Sequence, residues 1–212
     1  MHIIKKSNEN EMISEFLKME IAPFGRHRDD LLTVLAEMEL DEAIILNGDL
    51  SSEHENALRK ELFKRFRGYP NDMLFIGFPT KIDWHWAVFG KDDKPNILYI
   101  EFDYWNELSN KTGSPFEVGK IILAGIEIHD VSNEMFINGA RWLKDGNKFP
   151  PLIFLTDENK THFVILEGHA RMTAYGLVPE LFNDLSVLLG ICQKTELVKW
   201  ECYPHEHSCR YV

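Results

Sequence analysis

Apolar positions recur at helical spacing through the first part of the chain. Met12, Ile13, Phe16 and Leu17 share one face of a stretch running from Glu9 to Glu20, and a second helix is expected over residues 29–38. Ser51-Ser52-Glu53 reads as an N-cap for a third helix carrying Ala57, Leu58, Leu62, Phe63 and Phe66, which Gly68, Pro70 and Asn71 end. The period then shortens. Residues 73–78, 84–89 and 97–102 read as strands, with 90–95 as the turn between the last two. Trp84-His85-Trp86-Ala87-Val88 alternates, so one face of that strand should be buried.

Residues 110–115 are loop-like and mark the expected module boundary. Beyond them the pattern predicts a helix over 116–124, a short strand at 126–128 and a helix over 133–144. Strands at 151–155 and 162–166 flank a turn at 157–159. A helix opens at Gly168, Val178-Pro179-Glu180 begins a further helical turn, and 185–192 reads as a last buried strand. The fold class is therefore α/β (α+β): helices plus a small mixed sheet in residues 1–115, and a second module in 116–212 continuous with the same core.

The most informative stretch is Val164-Ile165-Leu166-Glu167-Gly168-His169-Ala170-Arg171. A buried strand stops at an acid and a glycine, and His and Arg fall in the first helical turn. That geometry leaves backbone N–H groups pointing at one spot, with the positive end of the helix dipole behind them. Such a place suits a phosphate or another anion. From the residues alone, the alternative is structural, with Gly168 allowing a sharp turn and Arg171 paired with Glu167.

Phe149-Pro150-Pro151-Leu152-Ile153-Phe154-Leu155, the turn, the second strand and Gly168-His169-Ala170-Arg171 together resemble the ParB/sulfiredoxin superfamily over roughly residues 120–192. The resemblance implies a nucleotide or phosphorylated small molecule bound at Gly168 and Arg171, with Glu167 and His169 beside it. Magnesium would accompany a nucleotide, and phosphoryl transfer or hydrolysis would be the chemistry. His169 stands where sulfiredoxins carry a reactive cysteine and ParB-like free-serine kinases a histidine, so sulfinic-acid repair is excluded. Ala170 stands where these relatives carry a basic residue. Glu127, by position, is the counterpart of the kinase base, with His129 and Asp130 next to it. The second expectation is a non-catalytic interaction protein that keeps the fold. DNA binding or cleavage is the weakest.

The charge balance supports that order. A net charge of −11 disfavours a broad nucleic-acid or anionic-lipid surface. No apolar run approaches the ~20 residues that span a bilayer. The three cysteines make no disulfide framework and the start of the chain has no signal-peptide pattern, so a cytoplasmic protein is expected. Cys202, His205, His207 and Cys209 lie too close together for a tetrahedral cage, and a plain tail is expected rather than a metal site. Trp84, Trp86, Tyr104, Trp105 and Trp142 are assigned to the core, and Arg26-His27-Arg28 to a helix-start surface.

Overall fold

A computed structural model describes residues 1–22 and 25–202. The chain begins with a short strand, β1 (His2–Lys6), and enters α1 (Glu9–Ile21) at Asn8, whose side chain accepts the Glu11 N–H at 3.0 Å. α2 (Arg28–Glu37), α3 (Ala43–Leu46) and α4 (Glu53–Arg67) complete a helical layer. Ser52 caps α4, and Gly68 closes it at φ 73°. Most of the apolar positions read from the sequence are buried, including Met12, Phe16, Leu62 and Phe63, but on α4 Ala57 is exposed and Leu58 only half-buried, and Asn56 and Arg59 are buried in that part of the helix. Arg59, 1% exposed, ties α4 to the preceding segment by donating to the Ile44 carbonyl at 3.0 Å and the Asp49 carbonyl at 2.9 Å.

β2 (Asp83–Phe89) and β3 (Ile97–Tyr99) come next, followed by α5 (Asp103–Leu108), α6 (Pro115–Leu123) and α7 (Glu134–Lys144). β4 (Leu152–Asp157), β5 (Phe163–Glu167), α8 (His169–Leu177), β6 (Leu185–Cys192) and α9 (Lys194–Glu201) end the described chain. The strands form one mixed sheet in the order β1-β2-β6-β4-β5-β3. β2 runs antiparallel to β6, and β3 runs parallel to β5, so the three strands from after residue 115 form the centre of the sheet and strands from before it flank them on both sides.

Both faces of this sheet are covered. Ile153 and Leu155 of β4 point to the layer holding α1, α2, α4 and α9, whereas Leu152 and Phe154 point to the layer holding α6, α7 and α8. β5 alternates in the same way, with Val164 and Leu166 on one side and Phe163 and Ile165 on the other. A strand buried on both faces loses its polar positions, which is why β4 and β5 read as continuous apolar runs. The architecture is α/β in three layers. Among the described residues, no helix is long and apolar enough to cross a membrane.

Two expected strands are absent. Residues 73–78 contain a 3-10 turn (Met73–Phe75) begun by Asp72, whose side chain accepts the Met73 N–H at 2.7 Å. Their apolar residues anchor that turn in an aromatic cluster: Phe75 meets Phe63 at 5.2 Å and Phe78 meets Trp200 at 5.6 Å. Residues 126–128 contribute one isolated bridge, Ile128 to Val131, around a turn in which His129 and Asp130 both have positive φ. The third N-terminal strand stops at Tyr99, because Phe102 opens α5. β1, α3, α5 and α9 had no counterpart in the sequence pattern. Trp142, assigned to the core, is 51% exposed on α7.

Candidate functional site

β5 delivers its last residue, Glu167, to the edge of the helical layer, and Gly168 reverses the chain into α8. Gly168 has φ 102°, and a Cβ there would lie 2.1 Å from Leu152 Cδ2 on β4, so the turn requires glycine. The first ladder bond of α8 runs from the Met172 N–H to the Gly168 carbonyl at 2.8 Å. No side chain caps the helix and no acid occupies its first turn, so the N–H groups of His169, Ala170 and Arg171 lack helical partners.

Arg171 is 9% exposed and already engaged. Its Nη1 donates to the carbonyls of Pro150 at 2.8 Å and Pro151 at 3.0 Å, and its Nη2 donates to Glu167. The guanidinium thus clamps the lead-in to β4 against the end of β5. Burial pushes the Glu167 carboxyl above its ordinary range; Arg171 opposes this, Glu20 adds to it, and Arg67 also opposes it. The structure therefore brings Glu167 and Arg171 together as an ion pair, which redirects part of the phosphate fork expected of Arg171 to holding the turn.

His169 stacks on Trp105 with centroids 5.3 Å apart and the planes inclined by 19°, and lies 6.0 Å from Tyr99 at 10°. The Tyr99 hydroxyl is 2.6 Å from Thr173 Oγ1, which donates to the His169 carbonyl at 2.8 Å. His169 Nε2 is buried without a partner. Burial, then the Arg67 and Arg171 charges, hold the imidazole down at a pKa of about 3, so it is neutral at physiological pH.

Three groups around the turn escaped the sequence reading. Arg67, at the end of α4, lies over the Phe66 ring at 5.7 Å, and among the described residues its buried Nε has no hydrogen-bond partner. Glu20, in the last turn of α1, is 8% exposed, and its charge bears on the Glu167 carboxyl. Trp105 packs against the core as expected and also supplies the stacking face for His169. Arg67 and Glu20 come from helices far away in sequence, and only packing of the helical layer on the sheet brings them here.

Glu127 is exposed in the loop before α7 and accepts the Asn133 N–H at 3.2 Å; its charge bears on Tyr104, and among the described residues it makes no hydrogen bond or ion pair to the Gly168 turn. His129 pairs with Glu107 at 2.9 Å. His205, His207 and Cys209 lie outside the described residues. Among those described, no group of three or more His, Cys, Asp or Glu side chains is arranged to hold a metal ion. In comparisons with known proteins, no family model, curated protein or solved structure matches this chain.

Proposed function

We propose that the β5–α8 turn binds the phosphate group of a nucleotide or a phosphorylated small molecule. The observation that carries this reading is a set of polar groups without hydrogen-bond partners at and around the turn. The uncapped N-terminus of α8 presents three amide groups, and the unpartnered Arg67 Nε and His169 Nε2 lie in the same electrostatic neighbourhood. An anion would satisfy them together, with the helix dipole and the Arg67 guanidinium supplying the charge. Arg67 would take over the cationic role that Ala170 leaves empty, while Arg171 positions the turn. The turn's one carboxylate, Glu167, is held by Arg171, so its residues do not form a magnesium cage and no step is assigned to that ion. In phosphoryl transfer or hydrolysis, the residues of the turn would orient the phosphate and offset its charge.

Thermal melts with inorganic phosphate, ADP, ATP and CTP, each with magnesium, test the reading. A ligand at a hundred times its Kd adds about 2.7 kcal/mol to stability. For a domain of this size that is a rise in Tm of roughly 5–10 °C. Arg67→Ala should abolish the rise. No rise with any of the four would overturn the proposal.

A second reading, a non-catalytic interaction protein, is favoured by one observation. Leu123, Ile126, Val131, Met135, Ile137 and Trp142 are half of the exposed large apolar side chains among the described residues, and all fall between the end of α6 and α7. Exposed apolar groups concentrated in this way mark interaction surfaces.

A further inference from the structure

β1 leaves the sheet before β2 begins to run out. The Ser7 N–H donates to the Trp84 carbonyl at 2.8 Å, and Asn8 then caps α1. A Cβ on Gly190 would meet Ile82 Cγ2 at 2.6 Å and Trp84 Cζ3 at 2.9 Å, so the Ile82 and Trp84 side chains share one face of the sheet. Strand alternation then turns the Ile82 amide and carbonyl the way the Trp84 carbonyl points, toward the line that β1 has left. Among the described residues, Ile82 makes no backbone hydrogen bond there. A cavity of about 510 Å³, lined by Glu9, Tyr69 and residues 79–84, opens beside this stretch. A second, of about 320 Å³, adjoins it along α4: Tyr69 lines both, and Lys60 of the second pairs with Glu9 of the first at 2.8 Å.

Each carboxylate lining this groove already has a basic partner. Glu9 pairs with Lys60 and accepts from the Tyr69 hydroxyl, Glu61 pairs with Arg65 at 2.8 Å, and Asp83 pairs with Lys6 at 3.9 Å. Lys81 in the first cavity and Lys64 in the second are exposed, and among the described residues neither ammonium has a hydrogen bond or ion pair. In a chain of net charge −11, the groove therefore keeps a local surplus of cations. We propose that it docks an extended acidic peptide segment of a partner protein. The segment adds a strand beside Ile82, in the line that β1 leaves, and sets carboxylates against Lys81 and Lys64. Tyr69 and Trp84, both nearly buried, give the groove a fixed floor. Pairing with Ile82 requires a peptide backbone, whereas a nucleic acid or a free anion would engage the lysines alone. The groove shares no residue with the Gly168 turn, so the proposal is independent of the phosphate reading.

Fluorescence anisotropy of a fluorescein-labelled Glu-Val-Glu-Val-Glu peptide, titrated with the full chain at pH 7, tests this. Binding should saturate with a Kd below about 1 mM. Glutamine in place of the peptide's glutamates should weaken it roughly tenfold. Lys81→Gln and Lys64→Gln should each weaken it roughly threefold, as loss of an exposed ion pair does. N-methylation of the peptide's central amides, which leaves its charge unchanged, should weaken it roughly tenfold. Circular dichroism melts confirm that each variant is folded. No saturation up to about 1 mM, a glutamine peptide that binds as well, or unchanged binding by both lysine variants overturns the proposal. So does a pentathymidylate or an N-methylated peptide that binds as tightly as the parent, because strand pairing would then play no part.

Discussion

At the scale of single residues, Gly168 and His169 carry opposite burdens. Gly168 is needed for its backbone: alanine there would adopt an unfavourable left-handed conformation and press into Leu152. Gly168→Ala should therefore cost about 3 kcal/mol in chemical denaturation. His169 is needed for its ring, and its depressed pKa makes the fold sensitive to acid. The unfolded imidazole takes its proton near pH 6.5, and the folded one only near 3, so between these values the unfolded state binds more protons. The stabilising effect of keeping His169 neutral is complete above pH 6.5 and declines as pH falls toward 3, by about 1.4 kcal/mol per pH unit. Glu167 works in the opposite sense, because its raised pKa lets the folded state take up a proton more readily. Denaturation of His169→Gln at pH 7 and pH 4.5 isolates the histidine effect: the variant should lose less stability on acidification than the wild type. An equal loss would show that burial of His169 does not set its protonation.

At the scale of elements, the strand–turn–helix unit is held by a clamp rather than by its own propensity. Arg171 joins the Pro150 and Pro151 carbonyls to Glu167, so one side chain fixes β4, β5 and α8 relative to each other. Arg171→Met should destabilise the protein by about 3–5 kcal/mol, because it strands a buried carboxylate. Adding Glu167→Gln should recover part of the loss, and denaturation of the pair measures the coupling. The same unit shows what the sequence could reveal. Its order of strand, glycine and helix was legible because β4 and β5 are long apolar runs and Gly168 breaks the pattern sharply. Residues 73–78 were misread for a related reason. A few consecutive apolar residues look alike whether they line a strand or pin a 3-10 turn into an aromatic cluster. β1 was illegible because it is mostly exposed at the sheet edge and has no apolar alternation.

At the scale of the whole molecule, the site belongs to neither half of the chain. In the sheet the three strands from after residue 115 sit together between strands from before it, and charges from α1 and α4, Glu20 and Arg67, bear on a turn from the C-terminal half. No local pattern could announce that meeting, which is why Arg171 and Glu127 stood out in the sequence while Arg67 and Glu20 did not. The exposed apolar face around α7 is a separate feature. Trp142→Glu should leave folding stability within about 0.5 kcal/mol, as a surface change does. If the face mediates association, the variant should also sediment as a smaller species than the wild type at equal concentration.

The claim on which the rest depends is that an anion seats on the first amides of α8. Nitrogen–proton correlation spectra of the isotopically labelled protein, recorded as inorganic phosphate is added, address it residue by residue. The account predicts saturable shifts led by the amide signals of His169, Ala170 and Arg171, and their loss in Arg67→Ala. Shifts confined to other parts of the molecule, or none up to millimolar phosphate, would contradict it.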